Sequence, residues 1–279
     1  MGKHVLITGA NSYIGTAVET SLKRYPEKYS VETLDMRNKT WEKTSFSGYD
    51  VVFHVAGIAH QKETKKNAKL YYMVNEKLAV KTARKAKQEG VKQFIILSSM
   101  SVYGMETGYI TKNSVPKPKS NYAKSKFKAD QTIKMLETPH FKVAILRPPM
   151  VYGKNCKGNY QALRKFALRT PLFPDIKNVR SMIFIDNLAE FVKQVIDGER
   201  TGIYFPQDDE YRNTAEMVKK IAEIHGKKVR LTHLFNPVVF LGEKLGVGSF
   251  RKVFGSLTYE PCDVIKSCAF DEIMLKTEK

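Results

Sequence analysis

The chain has 279 residues, 42% of them apolar and 11% aromatic, so it can form a substantial core, which excludes general disorder. Its formal net charge is +19, but 36 of its 47 basic residues are lysines spread along the chain, a pattern that disfavours a nucleic-acid partner. Three scattered cysteines predict neither a disulfide framework nor a metal site, and no apolar run is long enough for a signal peptide or a membrane span. We therefore expect a cytoplasmic protein without a membrane partner, whose basic surface attracts an anionic small molecule.

The first half of the chain alternates short β-rich runs with helical patterns, which is typical of a parallel sheet covered by helices on both faces. The predicted strands are residues 3–8, 30–35, 50–56, 92–98 and 141–147. The predicted helices are residues 14–24, 67–88 and 122–137. This alternation predicts the α/β class.

After residue 149 the rhythm becomes irregular. The pattern there predicts helices at 160–169, 187–197 and 214–225, short strands at 182–185 and 229–231, and a helical tail from residue 236. We therefore expect a first domain over residues 1–154. Residues 155–279 are expected to form mainly a smaller lobe, with some segments returning to the first domain.

A glycine-containing turn, GANSYIG at residues 9–15, joins the first predicted strand to the first predicted helix. Gly9 permits the tight turn, and Gly15 lets the helix pack closely on the sheet. The free N–H groups of the helix N-terminus then face a pyrophosphate. Ser12 replaces the usual middle glycine, so the phosphate approach is slightly altered. The turn predicts a Rossmann-like dinucleotide site, with a purely structural turn as the alternative; its contacts are Gly9, Asn11, Ser12, Tyr13, Ile14 and Gly15.

Asp35 ends the second predicted strand, 20 residues after Gly15. A carboxylate at this place hydrogen-bonds the adenosine ribose hydroxyls and repels a 2′-phosphate, which favours NAD over NADP. Arg37 keeps NADP open, because a guanidinium close by accommodates that phosphate. A second role for Asp35, capping the following turn, also remains open.

Tyr122 and Lys126 lie four residues apart in a predicted helix and therefore share a face. An ammonium beside a phenol stabilises the phenolate, which makes Tyr122 a base near neutral pH. Ser99, at the end of the fourth predicted strand, would hydrogen-bond the reacting oxygen. Because ligands bind at the carboxyl ends of parallel strands, we expect these three residues to form a catalytic site.

Together these motifs resemble the extended short-chain dehydrogenase/reductase family, in particular its NAD-dependent epimerase/dehydratase members that act on nucleotide sugars. The resemblance covers nearly the whole chain. It rests on TGANSYIG (8–15), VVFHVAGIAH (51–60), the helix carrying Asn75, SSMSVYG (98–104), YAKSK (122–126) and LRPPMVYG (146–153). It implies hydride chemistry by Ser99, Tyr122 and Lys126. It also implies cofactor contacts by Ala56, Gly57, Asn75, Ser98, Tyr122, Lys126 and Pro149.

The resemblance also implies where the substrate binds. Segments 157–159 and 180–182 match those that hold the sugar-nucleotide diphosphate, and the planar guanidinium of Arg180 suits a phosphate. An exposed loop charge is the alternative for Arg180, and a helix cap is the alternative for Asn159. The expected substrate contacts are Ser99, Ser101, Met150, Asn159 and Arg180.

The implied reaction removes a hydride from a sugar carbinol carbon while Tyr122 takes the hydroxyl proton. Related dehydratases carry an Asp-Glu pair where this chain has Ser99-Met100-Ser101, so dehydration is disfavoured. NAD favours a 4-epimerase of a UDP-hexose or UDP-N-acetylhexosamine acting through a 4-keto intermediate.

Two alternatives stay open. Met150 replaces an asparagine common in epimerases, which favours an NAD(P)H-dependent 4-ketoreductase of a nucleotide 4-keto-6-deoxy sugar. The second alternative is a non-catalytic NAD(P)-binding regulator, which would not need intact Ser99, Tyr122 and Lys126. The resemblance further implies a homodimer formed through helices 67–88 and 122–137.

Overall fold

The computed structural model describes residues 2–59, 61, 63–64, 66–245 and 248–279. Contacts within the chain define two compact units. The first comprises Met1–Gly104, Pro116–Pro148 and Ile185–Pro206. The second comprises Met105–Val115, Pro149–Phe184 and Gln207–Lys279. The segment Met105–Val115 thus belongs to the second unit although it precedes residue 154, and Ile185–Pro206 belongs to the first.

The first unit is built on a six-stranded sheet in which every neighbouring pair of strands is parallel. Its strands are β1 (Lys3–Thr8), β2 (Tyr29–Leu34), β3 (Val51–His54), β4 (Gln93–Leu97), β5 (Lys142–Leu146) and β6 (Gly202–Tyr204). They lie in the order β6-β5-β4-β3-β1-β2. This arrangement confirms the predicted Rossmann-like α/β fold. The strand order reverses at β1, and such sheets bind ligands at that switch point.

The helices of the first unit connect these strands. They are Tyr13–Leu22, Ala68–Tyr71, Ala79–Gln88, Asn121–Lys134 and Ile185–Asp197. The predicted helix 67–88 is interrupted by a π-helical segment, Tyr72–Leu78, in which Asn75 is fully buried. A π-segment inserts extra backbone into a helix and is often found at functional sites.

The core of the first unit explains why β3 and β4 are continuous apolar runs. All their residues are buried, because helices cover both faces of a parallel sheet. Small alanines bring the helices close to the larger strand side chains. This core includes Val52, Phe94 and Ile96 from the strands, and Ala79, Ala83, Ala86 and Ala129 from the helices.

The second unit contains short strands paired across long sequence separations. The parallel pairs are Met150–Tyr152 with Met182–Phe184, Leu172–Pro174 with Arg230–Thr232, Gly108–Ile110 with Leu257–Tyr259, and Gln207–Asp208 with Val264–Ile265. Its helices are Asn159–Arg169, Thr214–Ile224, Asn236–Lys244, Gly248–Phe254 and Phe270–Glu278. Across the described ranges, every helix is too short or too polar to cross a membrane.

The prediction of a helical tail from residue 236 was wrong between its helices, where Leu257–Tyr259 and Val264–Ile265 are strands. The edge strand β6 was missed as well. Segments of two or three residues carry too little periodicity for a sequence pattern to reveal them, and their pairing partners are remote in sequence.

Candidate active site

The turn between β1 and the helix Tyr13–Leu22 has no room for side chains at its glycines. Gly9 has a φ of +121°, and a Cβ there would lie 2.7 Å from the backbone nitrogen of Ala56. A Cβ on Gly15 would lie 2.5 Å from the Ser12 hydroxyl and 3.1 Å from Val55. The turn therefore brings backbone and helix close to the sheet, as a pyrophosphate cradle requires.

Ser12 has a definite task in this turn. Its hydroxyl accepts a hydrogen bond of 3.2 Å from the backbone N–H of Gly15 and so caps the helix that begins at Tyr13. Asn11, just before it, adopts a left-handed conformation with a φ of 62°. Replacing the middle glycine by serine thus gives the helix an N-cap. The first two residues of the helix, Tyr13 and Ile14, follow directly.

Asp35 follows β2 directly and is paired with Arg37. Its carboxylate accepts hydrogen bonds from the backbone N–H of Arg37 at 2.9 Å and from its guanidinium at 2.6 Å. These bonds lower the pKa of Asp35 to about 2, so the carboxylate stays charged at physiological pH. The turn-capping role that the sequence left open is therefore present. Arg37 itself points largely into solvent, with 80% of its side chain exposed.

The chain leaving β3 packs against buried polar groups. Asn75 accepts a hydrogen bond from the backbone N–H of Ile58 at 2.8 Å and donates to the Ile58 carbonyl at 3.1 Å. A Cβ on Gly57 would lie 3.0 Å from the Asn75 amide oxygen and 3.2 Å from Nζ of Lys126. The structure thus brings together Gly57, Asn75 and Lys126, three residues expected at the cofactor. Ala56, beside them, is buried.

Ser99, at the end of β4, is a neighbour of Tyr122: its side chain lowers the pKa of the Tyr122 phenol. Ser99 also caps the short 3₁₀-helix Met100–Tyr103, because its hydroxyl accepts from the backbone N–H of Ser101 at 3.2 Å and from the Ser101 hydroxyl at 3.0 Å. The hydroxyl that influences the phenol is therefore held in place by Ser101.

The pKa of Tyr122 moves in the direction opposite to the one expected from Lys126. Burial raises the pKa of Tyr122, and the neighbouring Ser99 side chain only partly offsets that rise. Lys126 instead donates to the backbone carbonyl of Leu97 at 2.8 Å. Sharing a helix face was therefore not enough to place the ammonium on the phenol, because a buried lysine needs an acceptor of its own.

A buried ion pair lies one turn beyond Lys126, and the sequence analysis missed it. Asp130 accepts from the Ser98 hydroxyl at 2.8 Å and from Nε of Arg147 at 3.0 Å. Arg147 also donates to the hydroxyl of Tyr103 at 2.8 Å. Burial raises the pKa of Asp130, while the charges of Arg147 and Lys126 act in the opposite direction. The hydroxyl of Ser98, which was expected to contact the cofactor, thus donates its hydrogen bond to Asp130.

Glu63 was missed as well. Its carboxylate accepts from the backbone N–H groups of Asn121 at 3.0 Å and Tyr122 at 2.9 Å. The hydroxyl of Ser120 accepts from Ala123 N–H at 3.1 Å. Although burial opposes it, these backbone bonds keep the pKa of Glu63 below its usual value. Two caps therefore fix the first turn of the helix that carries Tyr122.

The remaining predicted substrate residues lie in the second unit. Met150 begins a strand, and Asn159 begins the helix Asn159–Arg169 with an exposed side chain. The N-cap of that helix is Gly158, so the capping role left open for Asn159 is wrong. Arg180 is partly buried and donates to the carbonyl of Gly255 at 2.5 Å, so it is not a freely exposed loop charge. Pro149, which directly precedes the strand that begins at Met150, is buried.

The pKa of Lys126 leads to a test of this arrangement by stability measurements. Burial lowers that pKa from 10.5 to about 8, against the attraction of Asp130. Between these values the unfolded chain binds a proton that the folded chain has released, so the free energy of unfolding gains a favourable contribution as pH rises through this window. Thermal melts from pH 8 upward should show this gain for the native protein and lose it in Lys126→Met. The exposed neighbour substitution Lys124→Met should retain the gain; equal pH slopes in all three proteins would contradict the assignment.

A glycine turn and an acid after the second strand are the features by which a sheet of this kind binds a dinucleotide. The chain belongs to the NAD dependent epimerase/dehydratase family, whose model matches residues 5–204. Membership confirms the sequence-based recognition and NAD as the expected cofactor, while some structural neighbours carry NADP.

Two characterised relatives have related names. The chain is 29% identical over 249 residues to UDP-glucose 4-epimerase of Vibrio cholerae, covering 80% of this chain and 76% of that protein. It is 26% identical over 263 residues to N-acetyl-alpha-D-glucosaminyl-diphospho-ditrans,octacis-undecaprenol 4-epimerase of Escherichia coli O157:H7, covering 87% and 78%. Sugar 4-epimerases, one of them named for a nucleotide sugar, are thus among its homologues.

Solved structures match the fold along nearly the whole chain. UDP-glucuronic acid 4-epimerase from Bacillus cereus in complex with NAD superposes with a TM-score of 0.76 at 17% identity, covering 99% of this chain and 97% of that one. The dTDP-4-dehydrorhamnose reductase from Bacillus anthracis in complex with NADP superposes with a TM-score of 0.73 at 19% identity, covering 99% of each. One fold therefore serves both reaction types.

Proposed function

We propose that this chain is an NAD-dependent 4-epimerase of a UDP-hexose or UDP-N-acetylhexosamine that acts through a 4-keto intermediate. The observation that carries the proposal is that Ser99, at the end of β4, neighbours the phenol of Tyr122, whose helix also bears Lys126 four residues further on. The characterised relatives named as 4-epimerases support it.

The residues of this chain divide the work at the sugar. Ser99 holds the 4-hydroxyl against Tyr122, which takes the proton as the phenolate and later returns it as the phenol. The positive charges of Lys126 and of bound NAD would offset the burial that raises the pKa of Tyr122. Lys126 supplies the positive charge of this helix face. When bound, NAD supplies the acceptor and donor of the C4 hydride. The turn at Gly9–Gly15 suits the pyrophosphate of that cofactor, because its glycines leave no room for side chains. The other proposed cofactor contacts are Asp35, Gly57 and Asn75.

The substrate diphosphate is assigned to the second unit. Arg180 offers a planar set of donors, of which Nη1 already bonds Gly255. Asn159 is exposed at the first turn of its helix, where backbone N–H groups favour an anion. Met150 is proposed to contact the sugar.

The second candidate is a 4-ketoreductase of a nucleotide 4-keto-6-deoxy sugar. Met150, in place of the asparagine common in epimerases, favours it, as does the exposed guanidinium of Arg37. Such an enzyme consumes one NAD(P)H for each alcohol formed, whereas an epimerase regenerates its cofactor in the site. A non-catalytic NAD(P)-binding regulator would not need the Ser99 and Tyr122 hydroxyls for proton transfer.

The deciding assay supplies NAD without any reductant. UDP-glucose and UDP-N-acetylglucosamine are incubated separately, and their 4-epimers are measured by anion-exchange chromatography or NMR. Because the Escherichia coli relative is named for an undecaprenyl-diphosphate substrate, polyprenyl-diphosphate-linked N-acetylglucosamine is included. The epimerase proposal expects one pair to interconvert from both directions. Activity only on a 4-keto sugar, with stoichiometric NAD(P)H oxidation, would instead establish the reductase.

Cofactor preference is tested by Asp35→Ser. The substitution removes the ribose ligand and the repulsion of a 2′-phosphate, and it frees the Arg37 guanidinium from its partner. We expect NAD to bind about tenfold more weakly, which corresponds to a loss of about 1.4 kcal/mol of binding free energy. NADP should bind more tightly. Calorimetric titration of both cofactors measures the change. Arg37→Ala in the Asp35→Ser protein should remove the gain in NADP affinity. If Asp35→Ser kept the wild-type preference for NAD over NADP, Asp35 would not be a cofactor contact.

We also propose a homodimer formed through the helices over residues 67–88 and 122–137. Leu70 and Met73 on the first of these helices are 42% and 59% exposed, which is unusual for adjacent large apolar side chains. Sedimentation velocity of the native protein and of Met73→Glu tests this, with a monomer expected only for the variant.

A further inference from the structure

The helix Asn236–Lys244 and its flanking residues expose an unusual number of large apolar side chains. Six of them occur within twelve residues, and we call them the Phe240 face: Leu234, Phe235, Val238, Phe240, Leu241 and Leu245. Their exposed fractions run from 38% for Phe235 to 74% for Leu234. Single exposed apolar residues are normal on a protein surface, but a contiguous set marks a place of interaction.

The helix does little for its own unit. Among its described side chains, Val239 and Gly242 are buried, while Val238, Phe240 and Leu241 remain 56% to 60% exposed. A helix that only packed on a core would place such residues inward. The apolar character of this face therefore serves contacts outside the chain.

Cationic side chains lie directly beside this face. A cavity of about 600 Å³ in the second unit is lined by Phe240 and Phe254 together with Lys177, Lys244 and Arg251. The ten residues that line it include no aspartate or glutamate. Apolar surface and positively charged side chains thus meet at one place.

We propose that the Phe240 face docks this protein on the surface of an anionic phospholipid bilayer. Large apolar side chains enter the boundary between headgroups and acyl chains, while lysine and arginine pair with lipid phosphates. Lys177, Lys244 and Arg251, which line the cavity beside Phe240, are the cations proposed to do so. The spread of the lysines along the chain and the lack of a spanning segment led us to expect no membrane partner, but a peripheral contact needs only a local patch.

Charge favours a bilayer over a second copy of the chain. Pairing two Phe240 faces would bring Lys244 and Arg251 of one copy close to the same residues of the other. An anionic membrane neutralises these charges instead. The apolar side chains, in turn, have no counterpart on a nucleic acid backbone.

Co-sedimentation with vesicles tests the proposal without any catalytic step, so its outcome is independent of the proposed reaction. Wild-type protein is expected to bind vesicles of phosphatidylglycerol mixed with phosphatidylcholine, and to bind pure phosphatidylcholine vesicles far less. Val238→Glu/Leu241→Glu should weaken binding at least tenfold, because two apolar contacts are lost. Lys244→Gln should weaken it about fivefold, and high salt should weaken it further.

The matched control is Val115→Glu/Leu275→Glu, which adds the same two charges at exposed positions of the same unit. It is expected to bind like wild type, and circular dichroism checks that all variants are folded. Absence of wild-type binding to the anionic vesicles would overturn the proposal. So would equal losses in both double variants, or a dimer that Val238→Glu/Leu241→Glu dissociates while vesicle binding stays unchanged.

Discussion

Tyr122→Phe is expected to lower kcat about a thousandfold, because it removes the one hydroxyl proposed to take and return the substrate proton. The aromatic ring remains, so its edge contact with Tyr71 and the packing of the helix are preserved. NAD affinity should therefore change little. Steady-state kinetics together with calorimetric titration of NAD separate the two effects.

The control for this prediction is Tyr25→Phe, the same chemical change at a half-exposed tyrosine of the same unit. It should turn over like wild type. If Tyr122→Phe kept more than a tenth of the wild-type kcat, the proton would have to leave through another group, and the assignment of Tyr122 would fail.

Arg147→Met is expected to destabilise the fold by about 3 to 5 kcal/mol, because it leaves the carboxylate of Asp130 buried without its cation. Both side chains are almost inaccessible, with 5% of Arg147 and 2% of Asp130 exposed. Methionine fills much of the space of the arginine stem, so the loss is electrostatic in origin. Chemical denaturation measures the free energy of unfolding.

The pH dependence of this variant identifies the cause. Burial already raises the pKa of Asp130 above 3.8, and removing Arg147 raises it further. As pH rises above 3.8, the unfolded chain loses its proton first, so the free energy of unfolding of the variant should fall more steeply than that of wild type. Asp130→Asn/Arg147→Met should recover most of the loss. If the double variant were as unstable as the single one, packing rather than charge would explain the effect.

The regular part of the fold was predictable because its segments are long and strongly patterned. The strands β1 to β5 and the helix near residues 67–88 each carry apolar residues at a clear period, and the glycines of the phosphate turn mark a definite geometry. The strand β6 has three residues and pairs with β5 across more than fifty positions of sequence, so no local pattern announces it.

The candidate site was predictable in its residue types and less so in its electrostatics. The spacing of Tyr122 and Lys126 correctly indicates a shared helix face, but it cannot show that Lys126 bonds Leu97 or that burial raises the pKa of Tyr122. Such shifts depend on solvent exclusion by the whole fold.

The charged residues that support the site were missed for a related reason. Asp130 continues the face of Tyr122 and Lys126 by one further turn, and this periodicity was a usable signal. Glu63 gave none, because it lies in a loop almost sixty residues before the backbone groups it binds. Contacts of this kind arise only when the chain is folded.

Isotope transfer tests the epimerase mechanism most directly. UDP-hexose or UDP-N-acetylhexosamine carrying deuterium at C4 is converted in the presence of NAD, and the product is analysed by mass spectrometry and NMR. Because the hydride removed from C4 returns to the same carbon on its other face, the 4-epimer should keep its deuterium at C4 without net reduction of NAD. Product that carries solvent hydrogen at C4, or turnover that stops after one equivalent of NAD has been reduced to NADH, would contradict the account.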